Sequence, residues 1–351
     1  NWQETVYENV DAFAFSPKSN TLVVSESTEN GKTNKLSAIN LTNLKVSNIV
    51  INENLSIDHL SWNNAGTKLA FLQGDFGVDK VERQHTLKLW DAKSNKIRTV
   101  KTSKQQDQKW FISNVNKLTW SIDDERLFFG FKPVINKPEK IDTKPENQDE
   151  LYSVEKLVEG RGLQIWHGED SLIKTNEKYQ LGKDKKAFFT AVYHVDDNEL
   201  VRLASEDVIY VKATNNENSV LASSDLNYRK IRTWEGFFSD FYIVDLDDGK
   251  KTKIAEKLSS YTPVKISESG RYAAYYENKH VWVFDKNSNK KRNITKNIDI
   301  SFADEDHDYP SKVPGYGIAA WLEDDEGVLV YDKFDIWLLQ VDGDDPQCLT
   351  C

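Results

Sequence analysis

The stretch Trp62-Asn-Asn-Ala-Gly-Thr-Lys-Leu-Ala-Phe71 joins an aromatic residue to a polar turn and then to an apolar run. Asn and Gly favour tight turns, and aromatic and aliphatic residues on either side of such a turn are typical of paired strands. The stretch therefore predicts a β-hairpin whose first strand ends at Trp62.

The same pattern occurs six times, each time with an apolar residue seven positions after an anchor residue. The anchors are Phe15, Trp62, Trp120, Ala213, Ile266 and Trp321, of which the copy at Ala213 is degenerate. Most copies are followed by a third apolar strand, a polar turn and a short fourth strand. Repeats of about 40–50 residues with four antiparallel strands are typical of propeller blades. The sequence predicts an all-β fold, a β-propeller of four-stranded antiparallel blades, with six visible and seven or eight left open for the complete domain.

One interval between anchors is longer than the others. Residues 132–160 carry three prolines among mixed charges, which predicts an exposed insertion. We expect residues 163–166 and 188–193 to supply the outer strands of the third blade, and residues 1–351 to form a single propeller domain. We expect five tryptophans to pack between neighbouring blades: Trp62, Trp90, Trp120, Trp282 and Trp337.

The chain is acidic. It contains 46 Lys and Arg against 56 Asp and Glu, which gives a net charge of −10 over 351 residues. This charge disfavours nucleic acid and anionic membrane surfaces as partners. No apolar run approaches the ~20 residues that span a bilayer, so we expect no membrane insertion. The first residues, Asn1-Trp2-Gln3, suggest a processed form or a part of a longer protein.

The repeats resemble those of TolB-like proteins and of S9 (prolyl oligopeptidase) serine peptidases. Phe15-Ser-Pro-Lys-Ser-Asn20 and the stretch 62–71 match their recurring phrase W-S-P-D-G-x-x-L-A-F. Segments outside the phrase look, in order, like the propeller half of a large S9-type peptidase of the Bacteroidetes group. They are 126–130, 163–167, 191–194, 228–236, 304–310 and 316–337.

In that family the propeller precedes an α/β-hydrolase domain with a Ser-Asp-His triad, caps its active site and filters substrates by size. The present sequence contains no Gly-x-Ser-x-Gly nucleophile motif, so no catalytic residue carries over and the chain alone is expected to be inactive. The resemblance implies a peptide substrate, a hydrolase domain as partner, no cofactor, and a periplasmic or secreted location.

Two local clusters are candidate binding sites. The acidic run Asp304, Glu305, Asp306, His307 and Asp308 offers carboxylates for a cation or for a peptide's amino terminus. It lacks calcium-loop spacing, and a solvated loop is the simpler interpretation.

The second cluster is basic and aromatic. The patch consists of Arg229, Lys230 and Arg232 beside Trp234, Phe237 and Phe238. Ion pairs and ring stacking would suit it to an acidic peptide or a carbohydrate; the ordinary alternative is a blade edge with its charges in solvent.

Other chemistry-bearing residues predict structure rather than function. The six histidines lack zinc-site spacing, and Cys348-Leu-Thr-Cys351 follows a strand instead of opening a helix, so no metal site is expected. The pairs Asp123-Asp124 and Asp324-Asp325 fall in hairpin turns, where Asp bonds to the backbone.

Three functions remain open at this stage. The first is a non-catalytic propeller that gates and binds peptides for an S9-type hydrolase domain. The second is a stand-alone TolB-like propeller that binds a protein or peptide in the cell envelope. The third is a carbohydrate hydrolase with carboxylates lining the channel, for which mutation of Asp304, Glu305 or Asp306 would be the test.

Overall fold

The structure, a computed structural model, describes residues 4–28, 33–53, 55–75, 83–100, 110–134, 147–154, 166–213 and 216–351. Within these ranges six antiparallel sheets follow one another, and in each the four strands pair in chain order. The all-β propeller fold predicted from the repeats is confirmed.

The first three blades are β1 to β4, β5 to β8 and β10 to β13, with the short β9 pairing β11 at the edge of the third. Their strands are β1 Val10–Phe15, β2 Thr21–Thr28, β3 Thr33–Asn40, β4 Val46–Glu53, β5 Leu55–Trp62, β6 Lys68–Asp75, β7 His85–Asp91, β8 Lys96–Thr99, β9 Trp110–Phe111, β10 Thr119–Trp120, β11 Arg126–Pro133, β12 Phe189–His194 and β13 Glu199–Arg202.

The last three blades are β14 to β17, β18 to β21 and β22 to β25. Their strands are β14 Tyr210–Lys212, β15 Ser219–Ser224, β16 Phe238–Asp245, β17 Lys251–Ser259, β18 Val264–Ile266, β19 Tyr272–Glu277, β20 His280–Asp285, β21 Lys290–Asn293, β22 Ile318–Trp321, β23 Gly327–Tyr331, β24 Ile336–Gln340 and β25 Gln347–Cys348.

Helical elements lie outside the sheets. The α-helix α1 spans Lys174–Asp184, and 3-10 turns span Asp149–Tyr152, Leu226–Tyr228 and Glu323–Asp325. No helix in the described ranges has the length and apolar character needed to cross a membrane.

The anchor residues mark the ends of inner strands, as the repeat pattern predicts. Five of the six close the first strand of a blade, and Ala213 follows directly after β14. In the degenerate copy Asn216 accepts hydrogen bonds from the backbone N–H groups of Asn218 and Ser219 (2.9 and 2.8 Å), which shapes the hairpin before β15. Asn215 of that copy lies outside the described residues.

The prediction for the outer strands of the third blade was wrong in part. Its third strand is Phe189–His194, as expected, but its fourth is Glu199–Arg202. Residues 163–165 lie outside the described residues, and Trp166 belongs to no strand and is exposed. Most of the insertion at 132–160 also lies outside them. The segment Glu199–Arg202 pairs with β12 because only a four-residue turn separates the two strands.

Apolar clusters hold each blade to the next. Five of them lie between successive blades from the first to the sixth; the second, for example, packs Leu72 and Leu87 against Phe129. All five tryptophans predicted to pack between blades do so. Trp62 and Trp90 lie in the first cluster, Trp120 in the second, Trp282 in the fourth and Trp337 in the fifth.

Indole N–H groups add a directed contact between inner strands. In three blades the anchor tryptophan donates to the carbonyl oxygen of the residue that precedes the anchor of the blade before. The bonds run from Trp62 to Ala14 (3.2 Å), from Trp120 to Ser61 (3.1 Å) and from Trp321 to Lys265 (3.0 Å). Each ring thus fills the space between blades and satisfies its only donor there.

The hairpin turns of neighbouring blades are also joined. Asp124 of blade 3 accepts hydrogen bonds from the backbone N–H groups of Asn64 (2.7 Å) and Ala65 (2.8 Å) in blade 2, and from the Asn64 side chain (2.8 Å). Asp325 of blade 6 accepts from the backbone N–H of Ser269 in blade 5 (3.2 Å). Asp124 and Asp325 therefore accept hydrogen bonds from the backbone, as predicted, and that backbone belongs to the hairpin turn of the preceding blade.

The first blade has an exposed aromatic face. Phe13 pairs with Val24 and Phe15 with Leu22, which places both rings on the side opposite Val23, and Val23 packs towards the second blade. Phe13 is 64% exposed and Phe15 is 59% exposed.

Replacing a side chain between blades should cost far more stability than replacing one on the exposed face. Leu69→Ala, in the first cluster, should lower the free energy of unfolding by about 3 kcal/mol, since it leaves a cavity at a fully buried site. Phe15→Ser should cost less than about 1 kcal/mol. Urea unfolding followed by tryptophan fluorescence measures both, and equal losses would contradict the assignment of the two faces.

Asp124→Asn tests the contact between turns. Asparagine tolerates the positive φ of 66° as aspartate does, but its amide replaces one acceptor oxygen by a donor. The free energy of unfolding should therefore fall by about 2 kcal/mol. Asp247→Asn, in an exposed turn, is the matched control and should change stability by less than about 0.5 kcal/mol. Thermal unfolding measures both variants. Equal melting temperatures would show that the hydrogen bonds accepted by Asp124 do not stabilise the contact between blades.

Candidate functional site

A cavity of about 1210 Å³ opens between the third and fourth blades. Neighbouring strands are antiparallel, so the connection from second to third strand and the link to the next blade lie on the same side of the propeller. We call this the loop side. The cavity lies here, walled by residues from the long second-to-third connections of blades 3 and 4 and from β14 and β15.

Helix α1 forms the wall contributed by blade 3. Tyr179 and Lys183 lie one turn apart and both line the cavity, with Lys183 Nζ 5.3 Å from the centre of the Tyr179 ring. None of the helix's residues is buried, so the helix lies on the surface. Lys132, at the end of β11, donates a hydrogen bond to the carbonyl of Lys185 and ties the helix end to the blade.

The inner strand of blade 4 supplies a second wall. Tyr210 and Lys212 are two residues apart in β14 and therefore point to the same face. Both line the cavity, and Tyr210 is 47% exposed. Leu221 of β15 and Phe237 add apolar surface.

Two arginines share one carboxylate at the third wall. Asp225, the first residue after β15, accepts hydrogen bonds from Arg229 Nε (3.0 Å) and from Arg232 Nη2 (3.1 Å). The Arg232 guanidinium also lies 4.9 Å from the centre of the Phe237 ring. Both arginines line the cavity, and the shared carboxylate fixes their positions.

A buried network holds this arginine segment to its blade. Tyr228 Oη donates to Asp240 Oδ1 (2.5 Å), and Asp240 also accepts from Lys253 Nζ (3.0 Å) and the Lys257 backbone N–H (3.0 Å). The Asp240 side chain is 2% exposed. Since Tyr228 lies in the 3-10 turn just before Arg229, this network sets the height of the arginines above the sheet.

The network changes the ionisation of its members. Burial raises the pKa of Tyr228, and the hydrogen bond to the Asp240 carboxylate raises it further. Burial alone would raise the pKa of Asp240, but the hydrogen bonds from Tyr228 and Lys253 outweigh it and the pKa is lowered. At neutral pH the pair is thus a phenol that donates to a carboxylate.

Of the basic and aromatic patch predicted from the sequence, the structure places three residues in the lining of the cavity: Arg229, Arg232 and Phe237. Trp234 is 67% exposed and does not line it. Trp234 lies in the turns that follow Arg232, where its backbone N–H donates to the carbonyl of Ile231 (3.1 Å).

The acidic run lies on the loop side but not at the cavity. Asp306 pairs with Lys333 (2.8 Å), His307 contacts the Ser311 hydroxyl (3.0 Å), and the Glu305 backbone N–H donates to Tyr316 Oη (2.9 Å). None of Asp304, Glu305, Asp306, His307 and Asp308 lines the cavity. The run is a surface loop that is held by hydrogen bonds within the loop and by the ion pair with Lys333.

The remaining candidates are structural. His85 is buried between the carbonyl of Arg83 (2.8 Å) and the carboxylate of Asp58 (3.1 Å). Cys348 and Cys351 form a disulfide with their Cα atoms 5.8 Å apart. Asp335 lies beside this disulfide, in the one grouping of metal-binding side chains found in the described ranges.

Sequence reasoning missed the lysines and tyrosines of the cavity. Tyr210 and Lys212 carried a weak signal, since residues two apart in a strand point to the same face of the sheet. Tyr179 and Lys183 carried none, because helix α1 buries no residue and leaves no apolar period.

No protein-family model and no curated relative matches the sequence. Among solved structures the chain is similar to dipeptidyl peptidase 4 of Porphyromonas gingivalis, with 12% identity, coverage of 99% of this chain and 47% of that one, and a TM-score of 0.42. It is also similar to an oligogalacturonate lyase of Vibrio parahaemolyticus, with 11% identity, coverage of 96% of this chain and 79% of that one, and a TM-score of 0.38. The similarity to TolB of Acinetobacter baumannii has 10% identity, coverage of 93% of this chain and 62% of that one, and a TM-score of 0.31.

These likenesses concern the fold alone. The chain spans about half of the dipeptidyl peptidase and less than two thirds of TolB. The three named proteins differ in what they do, so the ligand of this chain has to be argued from its own cavity.

Tyr228→Phe tests the network under the arginines. The variant loses a hydrogen bond to a charged acceptor and should be less stable by about 1.5–3 kcal/mol at pH 7. In the wild type the folded pKa of Tyr228 lies above the unfolded value of about 10, so this contribution is full below pH 10 and is lost as the pH rises beyond it. Urea unfolding should therefore show a smaller difference in the free energy of unfolding between wild type and Tyr228→Phe at pH 10.5 than at pH 7. A difference that stays constant with pH would contradict the pKa shift.

Proposed function

We propose that this chain is a non-catalytic β-propeller domain that binds short peptides and controls their access to a hydrolase domain of the S9 serine peptidase type. The single observation that carries the proposal is the cavity on the loop side, whose walls combine aromatic rings with cationic side chains. The cavity opens towards solvent on the side where the blade-to-blade links also lie.

The size and the lining of the cavity both suit an extended peptide. Pockets for drug-sized ligands have volumes of about 300–1,000 Å³. A volume of about 1210 Å³ leaves room for several residues but excludes a folded domain. Tyr179, Tyr210 and Phe237 offer ring faces to side chains or to peptide planes.

The sequence motifs favour a peptidase context. The repeat phrases and the ordered segments from 126–130 to 316–337 resemble the propeller half of S9 peptidases, and the sequence has no nucleophile motif of its own. Peptide-bond cleavage would then fall to an α/β-hydrolase domain. On the same resemblance we propose a periplasmic or secreted location.

Peptide binding is tested with a fluorescein-labelled peptide Ala-Phe-Ala-Gln-Ala-Gly by anisotropy. We expect saturable binding that the double variant Tyr179→Ser/Tyr210→Ser weakens about thirtyfold, since each ring contributes on the order of 1 kcal/mol. Tyr309→Ser removes a ring that is about as exposed as that of Tyr179 but lies away from the cavity, and it should leave the Kd unchanged.

Two results would overturn the proposal. One is the absence of peptide binding by the wild-type chain. The other is equal weakening by Tyr309→Ser, which would place the peptide elsewhere. Binding that is confined to a folded protein partner would favour the TolB-like alternative.

A further inference from the structure

The cavity is positively charged in an acidic protein. Its ionised lining residues comprise five cations and one anion. They are Lys132, Lys183, Lys212, Arg229 and Arg232 against Asp184. The whole chain carries a net charge of −10, so this reversal is local. A concave site lined by one sign of charge concentrates the opposite sign.

Part of this positive charge is already matched. Arg229 and Arg232 share the carboxylate of Asp225, which leaves these three residues with one net positive charge. Asp225 occupies Nε and Nη2 of Arg229 and one nitrogen of Arg232. A guanidinium has five N–H donors, so both arginines keep donors that Asp225 does not use.

The lysines add charge from two other elements. Lys183 in helix α1 lies over the Tyr179 ring, and Lys212 at the end of β14 is exposed. Lys132 is buried at the end of β11 and donates to the backbone carbonyl of Lys185. The cations thus reach the cavity from blade 3, from helix α1 and from blade 4.

Apolar surface lies beside these cations. Phe237 lies under the Arg232 guanidinium, and Phe188, Phe189 and Leu221 complete the walls. Contacts of this kind exclude water and strengthen a charge-assisted hydrogen bond to an anion. A carboxylate matches the planar donors of Arg229 and Arg232 better than a neutral amide does.

We infer that the cavity recognises a carboxylate of the bound peptide. This inference rests on the peptide-binding function proposed above and specifies the group that the cavity selects. The carboxylate comes from the peptide's C-terminus or from an Asp or Glu side chain, and both sources present the same two oxygens.

Three acetylated peptides tell the sources apart. The neutral reference is Ala-Phe-Ala-Gln-Ala with a C-terminal amide; the second has a free C-terminus, and the third replaces Gln by Glu and keeps the amide. Isothermal titration at 20 mM salt should show at least one of the two anionic peptides binding about fivefold more tightly than the reference, as expected for one partly exposed ion pair. The preference should shrink as the salt concentration rises.

Variants locate the effect in the cavity. Lys183→Gln/Lys212→Gln removes two exposed cations and should reduce the preference to less than about twofold. Lys296→Gln, an exposed lysine outside the cavity, is the matched control and should leave the preference intact. Unfolding midpoints show that each variant is folded.

The outcomes separate the inference from the proposed function. Equal binding of all three peptides overturns the carboxylate inference and leaves peptide binding standing. The carboxylate inference is also overturned if Lys296→Gln loses the preference for anionic peptides as the double variant does. The preference would then follow the net charge of the protein rather than the cavity. No binding of any peptide overturns both.

Discussion

Neighbouring blades of this protein bury apolar side chains between the facing surfaces of their four-stranded sheets. The buried core therefore lies between blades rather than inside any one of them. The indole bonds from Trp62, Trp120 and Trp321 and the turn contacts of Asp124 and Asp325 are possible only at the spacing this packing sets. The same spacing brings the long connections of blades 3 and 4 together around the cavity.

The repeated hairpins could be predicted because each is a local event. A turn of Asn, Asp and Gly between apolar strands needs only neighbouring residues, so the anchors from Phe15 to Trp321 marked the inner strands. The fourth strand of the third blade was placed wrongly because the sequence does not show which of two short apolar runs pairs with β12. Helix α1 escaped prediction because a helix with no buried face has no apolar period to detect.

The residues of the candidate site could be predicted from the sequence only where they are neighbours in the chain. Arg229 stood out because arginines and aromatic rings follow one another there, and in the structure it lines the cavity. Lys183 and Lys212 belong to different blades, and the fold alone brings them to the same opening. The acidic run at 304–308 was conspicuous in composition, yet its contacts are with Ser311, Tyr316 and Lys333 rather than with the cavity.

Six blades joined by five apolar clusters form a linear series, and within the described residues no such cluster joins the sixth blade to the first. In a series with nearest-neighbour contacts, an end unit gives up one interface when it opens, whereas an inner unit gives up two. Among the described blades, the first and the sixth should therefore open at a lower free energy than the four between them. Blades 3 and 4 each have two such interfaces, so opening either of the blades that form the cavity disrupts packing on both of its faces.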